Sequence, residues 1–160
     1  MSEERLRTQL YDSFKNRAIL YYLIFDELRG ELGAERAEEI IKRAIYRRGQ
    51  QKGERYAAYA PDDLEGLKEA FVGGIPDGGA MFGPEVLRCD AGALDVKFHN
   101  CPLRDAWLEM GLAGEEVATM CRIAARIDNG TFEAAGFEFS ADTWQPGGEG
   151  CCHLHIRPGR

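Results

Sequence analysis

PEVLRCDAGALDVKFHN, residues 84–100, is the stretch that decides the fold. Glu85 to Cys89 and Leu94 to His99 are short runs rich in β-formers, and Asp90-Ala91-Gly92 between them is a hairpin signal. Leu94, Val96 and Phe98 alternate with Asp95, Lys97 and His99, so one strand face is apolar and His99 lies on the other.

Upstream of Pro84 the apolar period is 3.6. Residues 3 to about 31 carry Leu6, Leu10, Phe14, Ile19, Leu20, Leu23, Ile24 and Leu28 among charges, a long amphipathic helix ended by Gly30 and Gly33. A second helix, about 34 to 58, sets Ile40, Ile41, Ala44 and Ile45 on one side, then turns basic through Arg47, Arg48, Lys52 and Arg55 until Pro61 stops it. Asp62 and Asp63 cap a short third helix with Leu64, Leu67, Ala70 and Phe71, and GGIPDGGAMFGP reads as a glycine-rich loop.

Downstream, helices are expected at about 102–110 and 114–128. Phe137 to Trp144 and Cys151 to Ile156 then read as a closing strand pair around Pro146-Gly147-Gly148. Helices first and antiparallel strands after them imply an α+β fold: N-terminal helices packed on a small antiparallel sheet with two further helices. Residues 1–160 fit one domain, with a helical half at about 1–75 and a mixed half at about 84–158.

A net charge of −7 repels phosphate backbones and anionic lipid, so neither nucleic acid nor membrane is an expected partner. MSEERLRTQL lacks the apolar core of an export signal, and no run approaches the roughly 18 apolar residues of a span; a cytoplasmic location is expected. Five cysteines, an odd number, fit reduced thiols better than a disulfide framework. All three histidines, His99, His153 and His155, fall near a cysteine in sequence.

Cys101 stands in His99-Asn100-Cys101-Pro102, where proline suits the first helical turn and the cysteine the cap. Backbone donors and the helix dipole there favour thiolate, with His99 as a nearby base; the plainer alternative is a buried cysteine at a strand-to-helix junction. Val117, Cys121, Ala124 and Asp128 share one helix face, unless Asn129-Gly130 ends the helix and leaves the Asp128 carboxylate in water. On the last strand, alternation separates Cys152, Leu154 and Ile156 from Cys151, His153 and His155. Two histidines and a cysteine are zinc-type ligands, but no CxxC or HxxxH spacing supports a site, so no metal and no cofactor is expected. GGIPDGG lacks the Gly-Lys-Ser/Thr of a phosphate loop.

KFHNCPLRDAWLEMGL, EEVATMCRIAARIDNG and the final GGEGCCHLHI, in that order, resemble the L-2-amino-thiazoline-4-carboxylic acid hydrolase family. The matching positions are Cys101-Pro102, Cys121 with Asp128, and Cys152 after Gly148-Glu149; Arg48-Gly49 and Gly53 resemble a recurring R-G-x-x-x-G element. Glu149 replaces the usual Asp, and Cys151 doubles the cysteine.

The resemblance implies hydrolytic opening of a cyclic amidine or thiazoline. It casts Cys101 as nucleophile activated by His99, His155 as acid/base and Asp128 as the group orienting a histidine or the amidinium. Cys121 and Cys152 complete the catalytic set, Arg48 and Trp144 would contact a small-molecule substrate, and self-association is left open. Cys101, Cys121, Cys152, His99 and Asp128 should therefore converge on one pocket. The same helix-then-sheet order also looks like vinyl-reductase-type sensor domains, which bind small ligands or metal without turnover.

Overall fold

The computed structural model describes all 160 residues. Helix α1, Glu3–Leu32, starts at Ser2, whose hydroxyl accepts the Arg5 N–H at 3.2 Å, and ends at Gly33 with φ 86°. It turns Phe14, Ala18, Tyr21, Tyr22, Phe25 and Leu28 to the interior and leaves Leu20, Leu23 and Ile24 about half exposed. The sequence stripe included those three; the aromatic stripe wins the interior because its rings bury more apolar surface.

Helix α2, Ala34–Gly53, passes into a 3₁₀ segment over Glu54–Tyr59, earlier than the expected end near 58. Asp63 caps α3, Leu64–Gly73, by accepting the Gly66 N–H at 2.8 Å. Strands β1, Pro84–Cys89, and β2, Leu94–Phe98, form the expected hairpin, with the Asp90 carboxylate accepting the N–H groups of Gly92 and Ala93. Then come α4 (Pro102–Glu109), α5 (Gly114–Ala124), α6 (Arg126–Ala135), β3 (Glu138–Asp142) and β4 (His153–Arg157).

The sheet is antiparallel throughout, in the order β1-β2-β4-β3. Leu94, Ile156 and Phe139 stand in one cross-strand row and Val96, Leu154 and Ala141 in the next, forming the inner face. The intervening rows, Asp95–His155–Ser140 and Lys97–His153–Asp142, face outward.

The helix expected over 114–128 breaks at Ala125 and resumes to Ala135, so three helices rather than two follow the hairpin. Asn129-Gly130 is not a stop but the contact surface of α6. A Cβ on Gly130 would collide with the Tyr46 carbonyl, one on Gly49 with the Ile127 carbonyl, and one on Gly53 would sit 2.6 Å from the Thr131 carbonyl. Glycine here buys backbone-to-backbone packing of α2 on α6; the left-handed stop is Gly136, at φ 110°.

Two apolar cores result. One joins the inner sheet face to α3, Tyr56 and Phe132; the other gathers α1, α2, α4 and α5 around Trp107, whose Nε1 donates to the Ala18 carbonyl at 2.8 Å. No helix is long and apolar enough to cross a membrane.

Candidate active site

Between the two cores lies a cavity of about 310 Å³, large enough for a small molecule. Four thiols line it, Cys101, Cys121, Cys151 and Cys152, together with Asp128 and the cations Arg17, Lys52 and Arg55. Phe14, Tyr56, Phe71, Phe82, Phe98 and Trp107 supply aromatic walls.

Local structure explains the convergence. Cys101 is the N-cap of α4, extended at φ −157°, with Pro102 in the first turn. The chain entering β4 still pairs with the end of β2: the Cys151 N–H donates to the Phe98 carbonyl and the Phe98 N–H to the Cys152 carbonyl, both at 2.8 Å. That pairing carries the vicinal cysteines to the junction where α4 starts. Cys121 arrives from the buried face of α5, and Asp128 from the first turn of α6. Arg104 of α4, largely buried, donates Nη1 to the Gly150 carbonyl and holds the turn before Cys151.

Three of the cavity thiols, Cys101, Cys121 and Cys151, are shifted towards their protonated form. Cys101, expected to favour thiolate, is instead pushed well up by neighbouring Cys151 and then by burial, which outweigh the backbone amides of Arg104 and Leu103. Cys101 lowers the Cys151 thiol, but Cys152 and burial push it up to about 12. Burial, with Cys151 and Cys101, raises Cys121 as well. Helix-dipole stabilisation is a matter of about 1 kcal/mol, and desolvation of a thiolate among other thiols exceeds it.

Asp128 faces the cavity yet is surrounded by protein, and burial raises its carboxyl to about 6, with the Lys52 charge opposing; no hydrogen bond to the carboxylate contributes. Burial lowers Lys52, and Asp128 opposes that. With Lys52 protonated, three cations line the cavity beside one carboxylate, Lys52 part-buried and Arg17 and Arg55 exposed at its rim, a local excess of positive charge on a chain of net charge −7. Such a cavity attracts a small anion.

Of the expected set, Cys101, Cys121, Cys152 and Asp128 meet in this cavity and His99 does not. Strand β2 ends at Phe98, and His99 is exposed, with Nε2 2.7 Å from the Glu85 carboxylate; it cannot serve Cys101 as a base from there. His155 lies on the outer face, Nδ1 2.9 Å from Asp95 and Nε2 2.9 Å from Asp142, with the sheet between it and the thiols. Arg48 is exposed and bonded to Gln51, and Trp144 packs against both cores without lining the cavity. Cys151 leaves the His153 and His155 face because β4 begins only at His153.

Of the basic run over residues 46–55, which could hold a substrate carboxylate, the sequence reading singles out Arg48, whereas Lys52 and Arg55 line the cavity, with Arg17 and Trp107 as further lining residues it does not single out. One signal was available: Gly49 and Gly53 mark the α2 surface that meets α6, and Lys52 lies closer to that surface on the helix than Arg48 does.

The architecture is an α+β domain with a ligand-sized cavity between a helical layer and an antiparallel sheet. The L-2-amino-thiazoline-4-carboxylic acid hydrolase family matches residues 13–156, and the chain belongs to that family. No curated protein matches the sequence. Among solved structures, the fold is similar to the phenol-responsive sensory domain of the transcription activator PoxR, in its crystal structure with phenol. The TM-score is 0.59 at 20% identity, over 88% of this chain and 73% of that one.

Proposed function

We propose that this chain is a hydrolase that opens a small cyclic amidine bearing a carboxylate, L-2-amino-thiazoline-4-carboxylate or a close relative, inside the cavity between the cores. The observation that carries this reading is the meeting of Arg17, Lys52 and Arg55 with the partly buried Asp128 and four thiols in one ligand-sized space. A substrate with a carboxylate at one end and an amidinium at the other matches that charge distribution, the carboxylate on the cations and the amidinium on Asp128.

In the reaction, a water oxygen bonds to the carbon between ring sulfur and ring nitrogen, and the carbon–sulfur bond breaks. The ring nitrogen of the amidinium already carries its proton, so one water proton ends on the departing sulfur and the other is released to solvent, giving N-carbamoyl-L-cysteine. Asp128, poised near 6, accepts a water proton and returns it to sulfur. Covalent attack by Cys101 is disfavoured by the environment that keeps its proton on. The thiols instead pack a polarisable wall against the substrate's ring sulfur.

One observation favours a second reading, capture of a ligand without turnover: six aromatic rings line the cavity. Incubation with cyclic amidines and thiazolines, followed by NMR for the ring-opened product, separates the two. Product formation that requires Asp128 supports the hydrolase, and saturable binding of these compounds without product supports capture.

A further inference from the structure

The outer sheet face contains a cluster that plays no part in the cavity. We infer that Asp142, His153 and His155 form a binding site for a divalent transition-metal ion of the zinc type. Each offers one ligand atom, and these atoms all lie within 4.8 Å of one another. The placement follows from register: His153 and His155 project from the same side of β4, their ring centroids 4.3 Å apart, and Asp142 pairs with His153 across β3.

Three features make this more than adjacent polar groups. His153 Nε2 is enclosed and has no hydrogen-bond partner, whereas buried polar atoms of native proteins are nearly always satisfied. An ion shared with its neighbours would supply what that ring lacks. The Nδ1–H of His155 is already directed to Asp95 at 2.9 Å, and Arg157 holds Asp95 at 2.8 Å. A carboxylate behind the ring that fixes its orientation is the support metal-bound histidines have, and it leaves Nε2 for the ion. Nε2 in turn stands 2.9 Å from Asp142 Oδ2, a gap that opens by a rotamer adjustment of Asp142, whose side chain is 79% exposed.

Two imidazoles and one carboxylate select a borderline ion such as Zn²⁺ over Mg²⁺ or Ca²⁺, which prefer all-oxygen shells. Three protein ligands leave at least one position for water. Two cations flank the cluster: Arg157 is engaged by Asp95, and Lys97 stands opposite His153 in register with its chain running over Gly150. Because Asp142 is on β3 and both histidines are on β4, the ion would tie the edge strand to the sheet.

The test uses the full chain stripped by chelator and titrated with zinc chloride by calorimetry, with cobalt absorption reporting the ligand set. The expected result is one ion per chain and a raised melting temperature. Asp142→Asn and His153→Ala should weaken binding by at least about tenfold, and Asp95→Asn by about 10- to 100-fold through loss of ring orientation. Cys152→Ser should bind as the parent does. Melting curves of the metal-free variants confirm that each is folded, and the exposure of Asp142 makes Asp142→Asn the variant least able to disturb the fold. Absence of zinc binding by the parent, unchanged affinity in both Asp142→Asn and His153→Ala, or loss of binding in Cys152→Ser would each overturn the inference.

Discussion

The two faces of the sheet treat their polar residues in opposite ways. Outside, nearly every charge has a partner: His99 with Glu85, His155 with Asp95 and Asp142, Arg157 with Asp95. Inside, Asp128 has no hydrogen-bond partner, and Cys101, Cys121 and Cys151 are held away from their usual ionisation. Cys152 and His153 are consecutive in sequence, yet one lines the cavity and the other faces outward. Crowding of cysteine and histidine along the chain thus describes two sites, one inside around Asp128 and the thiols and one outside around His155 and the unpartnered Nε2 of His153.

The comparison breaks most readily at Asp128. Asp128→Asn should lower kcat by about 10²- to 10⁴-fold with the fold retained, as expected on loss of an acid/base group, while His99→Gln on the exposed side leaves kcat unchanged. Steady-state kinetics on the substrate found by the screen, with melting curves, read both. Equal losses in the two variants would erase the distinction between the faces.

The cation set comes next. Lys52→Met should raise KM by about 10- to 100-fold with a smaller change in kcat, since a charge-assisted contact is worth about 1.5–3 kcal/mol. Arg48→Ala, four residues earlier and outside the cavity, should leave KM alone.

Gly130→Ala should destabilise the fold by about 1–3 kcal/mol in urea unfolding, because the new methyl meets the Tyr46 carbonyl and α2 must move off α6. Cavity geometry should suffer with it, since Lys52 and Asp128 are carried by those two helices.

The carboxyl of Asp128 also sets a pH signature. Its folded value, about 6, exceeds the ordinary 3.8, so the native state holds a proton that the unfolded chain releases earlier. Stability contributed by this group therefore falls as pH rises from about 4 to about 6 and stays lower above, by about 2 to 3 kcal/mol. Asp128→Asn should lack that decline, so it gains on the parent at pH 8 and matches it at pH 3.5 in denaturant titrations. The smallest expected effect is on thiol reactivity. Iodoacetamide at pH 8 should alkylate Cys101 and Cys151 more slowly than an ordinary cysteine, read by mass spectrometry.

Much of this architecture was legible because it is written in local periodicity. Alternation of Leu94, Val96 and Phe98, turn chemistry at Asp90, and proline after Cys101 each act within a few residues. Those signals place β2, the hairpin and the cap of α4, and with the closing strand pair they bring Cys101 and Cys152 together. What was not legible depends on distant contacts. Asn129-Gly130 has the local chemistry of a helix stop, and only the backbone of Tyr46 makes it a packing surface. The choice of Lys52 over Arg48 follows from where α6 lies, and His99 is taken outward by Glu85 on the neighbouring strand. The thiol ionisation expected from the cap was reversed by Cys151, which the chain brings in from 50 residues away.

One measurement tests the central claim most directly: incubation of L-2-amino-thiazoline-4-carboxylate with the parent chain and with Asp128→Asn, following N-carbamoyl-L-cysteine by NMR. Ring opening by the parent, rising with pH through about 6 as Asp128 ionises and nearly abolished in the variant, is the predicted result. Turnover that survives in Asp128→Asn with an unaltered pH profile would contradict the account and move the chemistry away from this carboxylate.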